Sequence, residues 1–391
     1  MKTSLTDNTL TLFLEGRIDS NNAAQVEQEA LSAVAQNPGA ELALDAENLE
    51  YISSAGLRVL MKLRKQAKKA LPVWNVSPEV YEIFDVTGFT DLLEVHKALR
   101  KVSVEGLKQI GQGATAKVYR LDRETIVKVF GPTISLDTIQ RENERSRNAF
   151  ISGIPTAIAY DIVRVGDGYG AIYELLDAQD LLTLMENDKK HLEAYVVKFA
   201  ATMRKMHEIE VDPQCFPPAK QTSIAYLAGL KGICTQEELE KLRCLYDNIP
   251  DRNTFIHGDC HPGNVMVQNG EFMFIDLMTC GCGHPIFDLA SMCISYFFSQ
   301  RSPESQKTSV LLRNFTSEEI ARIWNTYLCA YLGTTDESFL RKAVPQIAAL
   351  TAARMLFATI AVPGLFSPEQ IHNLKQTALA YVDSGLEPIC F

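Results

Sequence analysis

Apolar and polar residues alternate over Thr9–Ile18, which predicts a strand. Residues 21–35 then repeat apolar positions at helical spacing behind Asp19 and Ser20, two candidate caps. A short strand is expected at 41–45. Tyr-Ile-Ser-Ser-Ala-Gly (51–56) reads as a turn opening a helix over 57–70, in which Leu57, Leu60 and Leu63 alternate with basic residues. Residues 73–76 predict another strand and 78–87 another helix. Strands and helices alternating at this spacing define a small α/β domain with a mixed sheet.

Beyond a connector at 98–105 the pattern changes. Residues 107–120 read as strand, glycine-containing turn and strand, and Asp122-Arg123-Glu124 turns the chain into a third strand ending at Phe130. A helix is expected over 139–150. Two apolar strand-like pieces, one entering at Phe255-Ile256 and one at Phe272-Met273-Phe274-Ile275, flank a polar loop. Residues 347–366 have helical spacing and are interrupted by Arg354 and Pro363, which predicts a buried helix in preference to a membrane span. Trp324 and Tyr296-Phe297-Phe298 are expected in helical core.

The length of 391 residues suits two domains, here 1–100 and 101–391. The net charge of −10 divides as −4 over residues 1–100 and −6 over the rest, so neither part hides a strongly basic domain and a nucleic-acid partner has no support. The N-terminus lacks the apolar run of a secretory signal, which points to a cytoplasmic protein without a membrane role. Nine irregularly spaced cysteines do not form a disulfide framework and are expected as reduced thiols.

The chemistry concentrates in the second part. Glycines such as Gly111 and Gly113 between paired strands let backbone N–H groups approach phosphate oxygens. Lys128, in an apolar strand one hairpin later, can point its ammonium at the α- and β-phosphates. Its counter-charge is Glu142 or Glu144, and Glu142 fits better when measured back from the Gly153-Ile154-Pro155 turn. The sequence His257-Gly258-Asp259-Cys260-His261-Pro262-Gly263-Asn264, followed by Asp276, supplies the rest. Asp259 can orient or accept the proton of an attacking hydroxyl. Asn264 and Asp276 can hold Mg²⁺ against the phosphates of ATP, because this hard cation prefers oxygen ligands. His257 braces the loop. Cys260-His261 and Cys280-x-Cys282-x-His284 offer a competing zinc reading at a spacing tighter than that of ordinary structural sites.

Two resemblances follow. Leu-Glu-Gly-Arg-Ile-Asp (14–19), Leu-Asp (44–45) and Tyr-Ile-Ser-Ser-Ala-Gly-Leu-Arg-Val-Leu (51–60) look like the STAS domain of anti-sigma factor antagonists, over about the first 97 residues. That resemblance makes Ser54 the candidate phosphosite and an anti-sigma factor or other regulatory protein the candidate partner. Ser53 stands where the family often has an acidic residue. The bland alternative is that Ser53 and Ser54 only cap the helix, and that the basic stripe Arg58, Lys62, Lys65 and Lys69 is a solvated face. The His-Gly-Asp…Asn…Asp run, over about 104–300, is similar to the aminoglycoside phosphotransferase and choline kinase-like group. It implies an α+β protein kinase-like fold with a small β-rich N-lobe and a helical C-lobe. It also implies that Asp288 steadies the catalytic loop and that Tyr173-Glu174-Leu175-Leu176 is a hinge meeting adenine through Glu174 and Leu176. Ala116 in place of a third glycine, and Leu277-Met278 after Asp276, depart from the protein-kinase pattern and suit a small-molecule kinase. The expected activity is ATP-dependent phosphoryl transfer to a hydroxyl of a small molecule. The rival is a non-catalytic, nucleotide-sensing anti-sigma factor antagonist, and self-phosphorylation of Ser54 is a third reading.

Overall fold

The computed structural model describes all residues except Lys68, Ala114, 300–313 and Cys390, together with the side chains of 295–299. The chain divides into two compact units, Met1–Ser103 and Val104–Phe391.

In the first unit the strands Thr3–Thr6, Thr9–Ile18, Glu41–Ile52, Pro72–Val76 and Glu94–Lys97 lie side by side in that order. The first pair is antiparallel and the others are parallel, so the sheet is mixed. Helices Ala23–Gln36, Ser54–Gln66 and Pro78–Val86 complete the unit, around a core that includes Leu12, Leu44, Leu60, Val73 and Phe84. The strand expected at 41–45 continues to Ile52. Register shifts against Thr9–Ile18 break the period-two pattern there, leaving Glu47 and Asn48 exposed while Leu49 and Ile52 are buried. The first helix begins at Ala23, later than expected, and Asn22, not Asp19 or Ser20, holds its cap position: the Asn22 side chain accepts from the Asp19 amide, and Asp19 accepts from that of Asn21. The second helix runs over Ser54–Gln66 instead of 57–70, which places Lys69 beyond its end, paired with Glu41.

The second unit starts with antiparallel strands. Ala159–Val165 pairs with Gly168–Glu174, then come Thr125–Phe130, Ala116–Arg120 and Gln109–Gln112. Helix Leu136–Ile151, capped by Ser135, accompanies this sheet. The rest is helical apart from short strands, among them the hairpin Val265–Gln268 and Glu271–Phe274. The helix expected over 347–366 runs over Glu337–Ala361 and holds Pro345 inside it. By length and composition alone this helix could cross a membrane, but Ile347, Leu350, Met355 and Leu356 are buried in the core of the unit. Trp324 is half-buried and stacks on Tyr327. The side chains of Tyr296-Phe297-Phe298 lie outside the described residues.

Candidate active site and its relatives

Strand Thr125–Phe130 carries Lys128, and the helix behind it carries Glu142. The Lys128 Nζ lies 2.7 Å from Glu142 Oε1 and 3.1 Å from Asp276 Oδ1. Burial works against the Lys128 charge, but Asp276 and Glu142 outweigh it and hold the ammonium above its usual range. Burial is also the strongest influence on Glu142, only 2% exposed, and lifts its carboxyl despite Lys128. Glu144 is exposed on the same helix, so burial separates the two candidates that the sequence left open.

Strand Phe255–Ile256 delivers the chain into the polar loop. The loop is clamped by Asp288, which is fully buried: its two carboxylate oxygens accept from the amides of His257 and Gly258, each at 2.7 Å. Burial opposes the Asp288 charge, yet the hydrogen bond and charge of His207, with His257, keep its carboxyl below the usual range. His257 donates from Nε2 to the Ile275 carbonyl and accepts the Asp259 amide on Nδ1, tying both ends of the loop together. Gly258 has φ +81, and a Cβ there would lie 2.2 Å from the Thr279 carbonyl oxygen, so only glycine fits. Asp259 itself is exposed. Asn264 donates its side-chain amide to the Asp259 carbonyl at 2.9 Å, and its own carbonyl accepts from the Ile275 amide. Asp276 adopts a left-handed conformation, φ 61 and ψ 62, which a non-glycine residue takes up at a cost.

Gly111 and Gly113 lie in and just after the first strand of the glycine hairpin; neither has a positive φ, and a Cβ on either would meet only ordinary contacts. The hairpin's own packing therefore does not require them. At the expected hinge the amides of Glu174 and Leu175 donate to Ile158 and Glu124. The Glu174 carboxylate accepts the Ile158 amide, and Leu176 follows directly.

Three side chains that sequence reasoning missed act on this loop. His207, at the end of helix Leu192–Met206, hydrogen-bonds Asp288 at 2.9 Å and Tyr331 at 2.7 Å. Arg354 donates to the Gly258 carbonyl, and Arg145 donates to the Met278 carbonyl at 2.6 Å. A lone histidine closing an amphipathic helix was the one weak signal. The zinc candidates are occupied separately. Cys260 is buried against Met203, Cys282 donates to the Phe216 carbonyl, and His284 meets the Phe391 carbonyl. Burial pushes the Cys280 thiol up to about 12 and the Cys260 thiol well up. Among the described residues no group of three or more His, Cys, Asp or Glu is arranged to hold a metal.

In the first unit Ser53 caps helix Ser54–Gln66, its side chain accepting from the Gly56 amide at 3.5 Å. Ser54 is the first helical residue and is exposed. A Cβ on Gly56 would come within 2.6 Å of Ile52 and 2.8 Å of Ile18, so glycine lets this helix start lie close against the sheet. Arg58 and Lys65 are exposed on the same helix, and Lys62 pairs with Glu27 at 2.5 Å.

This arrangement belongs to a known class: residues 106–321 match the model of the phosphotransferase enzyme family, and the chain is a member of that family. Residues 1–94 match a STAS domain model described as Mlab, STAS domain. Over 92 residues the chain is 37% identical to a putative anti-sigma factor antagonist, BtrV, of Bordetella bronchiseptica, covering 23% of this chain and 78% of that protein. It is 29% identical over 89 residues to the anti-sigma-B factor antagonist of Listeria monocytogenes, covering 22% and 77%. Among solved structures, ADP-bound aminoglycoside phosphotransferase APH(2'')-Ib is similar at 18% identity and TM-score 0.46, covering 78% of this chain and 98% of that one. A choline/ethanolamine kinase family protein from Mesorhizobium loti is similar at 14% identity and TM-score 0.45, covering 71% and 87%. The chain thus carries a STAS domain followed by a domain of the phosphotransferase enzyme family.

Proposed function

We propose that residues 101–391 transfer the γ-phosphoryl group of ATP to a hydroxyl of a small molecule, and that residues 1–100 are a regulatory domain that meets an anti-sigma factor or another protein. The observation that carries this reading is the convergence of Lys128, Glu142 and Asp276 within hydrogen-bond range. Glu142 holds Lys128 in place for the α- and β-phosphates, while Gly111 and Gly113 give them backbone N–H groups. The Glu174 carbonyl and Leu176 amide meet adenine. Asp259 takes the acceptor proton, on a loop that Asp288 and His257 hold ready before substrate arrives. Asn264 spends its amide nitrogen on the Asp259 carbonyl, which leaves its side-chain oxygen free. With the exposed Asp276 it forms an oxygen donor set suited to Mg²⁺. Such a cation supplies charge neutralisation on the phosphates. In the STAS domain the exposed Ser54 is the residue proposed to be phosphorylated, at a helix start where a phosphate is favoured.

The test is ADP release by the full chain with MgATP across hydroxyl acceptors. Asp259→Ala should lower kcat about 10²- to 10⁴-fold while leaving thermal stability nearly unchanged, because the side chain is exposed. Unaltered turnover in that variant would remove Asp259 from the mechanism. Nucleotide binding without transfer to any acceptor would favour a nucleotide-sensing regulator instead.

A further inference from the structure

The loop after Asp276 and the C-terminal helices enclose a cavity of about 670 Å³ in the second unit. That volume lies in the range of sites for small organic ligands. One end is made by Gly258, Thr279, Arg145 and Arg354. These four are adjacent: Gly258 abuts Thr279, Arg354 donates to Gly258, and Arg145 donates to Met278, the residue before Thr279. Apart from Thr222 and Ser223 the rest of the wall is apolar and aromatic, with Tyr226, Phe287, Leu350, Phe357 and Phe366 among its members. At its rim Tyr226, Ile360 and Leu365 are exposed, as is Val362 between the last two in sequence.

The charge pattern of this cavity restricts the ligands that suit it. Among the described residues that line it there is no carboxylate, so nothing there would receive a polycationic amino sugar. Each arginine spends one donor on a backbone carbonyl, and neither pairs with a carboxylate among the described residues. A guanidinium has five N–H donors in a fixed fork, so both keep donors for an anion. Half-buried beside apolar walls, these two charges are short of a counter-ion.

We propose that the acceptor is an amphipathic hydroxy acid. Its acid group pairs with Arg145 and Arg354, its apolar body fills the remainder of the cavity, and its hydroxyl lies a few bonds from the acid, where Asp259 follows Gly258. This rests on the phosphotransferase reading above and narrows its substrate. In the reaction the acceptor oxygen forms the new bond to the γ-phosphorus and its proton passes to Asp259. The bond from that phosphorus to the bridging oxygen breaks, and ADP leaves with the electron pair.

The experiment uses the full chain with MgATP and three probes: β-hydroxydecanoate, its methyl ester and kanamycin. Decanoate serves as a ligand that cannot be phosphorylated, and nucleotide affinity is measured for every variant. The expected result is ADP release with β-hydroxydecanoate, kcat/KM lower by about tenfold or more for the ester, and no turnover of kanamycin. Arg145→Met and Arg354→Met should each weaken decanoate binding by about tenfold, a larger loss than either substitution causes for the uncharged ester. Filling the cavity from two different helices with Ala358→Trp or Ser223→Trp should abolish decanoate binding in chains that still bind MgATP. Turnover of kanamycin in preference to the hydroxy acid, equal use of acid and ester, or decanoate binding that survives both tryptophans would overturn the proposal. So would MgATP binding with no affinity for either acid, which would leave the phosphotransferase reading standing. Absence of MgATP binding in the unmodified chain would instead sink that underlying reading.

Discussion

Both units place their chemistry where a strand hands the chain to a helix or turn, but they secure it differently. In the STAS domain the strand ending at Ile52 delivers Ser53 and Ser54 to a helix start that is fixed by one side-chain cap and by apolar packing under Gly56. The hydroxyl of Ser54 stays exposed. In the catalytic unit the strand ending at Ile256 enters a loop held by a fully buried carboxylate, two histidines and an arginine. A residue proposed as a phosphosite needs access and little else. A site that performs chemistry needs its groups fixed beforehand, and buried charge-assisted hydrogen bonds supply that rigidity.

The contrast can be tested from its largest consequence to its smallest. Asp288→Ala strands the amides of His257 and Gly258 and leaves His207 without its carboxylate, so it should cost about 3–5 kcal/mol of stability and abolish turnover. Urea unfolding measures the first effect and ADP release the second. The two tryptophans report separately, Trp74 from the first unit and Trp324 from the second, so in a Trp74→Phe background the fluorescence should follow the catalytic unit alone.

Acid should also weaken that unit. Burial holds His284 down at about 4, beside an ordinary histidine value near 6.5. Between those values the unfolded chain binds the proton and the folded chain does not, so stability present above about pH 6.5 is lost as pH falls towards 4. The loss at pH 5 should be about 2 kcal/mol, read from Trp324, and His284→Gln should flatten the slope.

The smallest effects belong to the first unit. Ser53→Ala removes a helix cap and should cost about 1 kcal/mol, whereas Ser54→Ala should change stability by less than about 0.5 kcal/mol. A larger loss from Ser54→Ala than from Ser53→Ala would show that the exposed hydroxyl holds the fold together, and the contrast between the units would fail.

The legible parts of the molecule were those written in local spacing. Period-two and helical patterns predict most of the mixed sheet and the glycine hairpin, and Asp259, Asn264 and Asp276 stand out because they share one short stretch of chain. What escaped has long-range or irregular causes. The strand Glu41–Ile52 looked short because its register shifts scramble the alternation of burial. The start of helix Glu337–Ala361 was hidden because proline ordinarily breaks a helix, while Pro345 sits inside this one. His207 and Arg354 reach the site from helices distant in the chain, and Arg145 from the helix that carries Glu142. Two of them bond to backbone carbonyls, which every residue possesses, so no pattern in the sequence announces them.

The burial of Cys260 has a practical consequence. Its sulfur is packed against Met203 one residue from Asp259, and its thiol is pushed well above its usual range, so it should be inert to alkylating reagents while the loop is closed. Among the described cysteines Cys215 and Cys244 are exposed and Cys293 and Cys329 partly so, and these should react first. Once those are blocked, slow modification read at Cys260 itself becomes a clock for spontaneous opening of the loop. Ligands that brace the loop should slow that clock by the factor with which they suppress its opening.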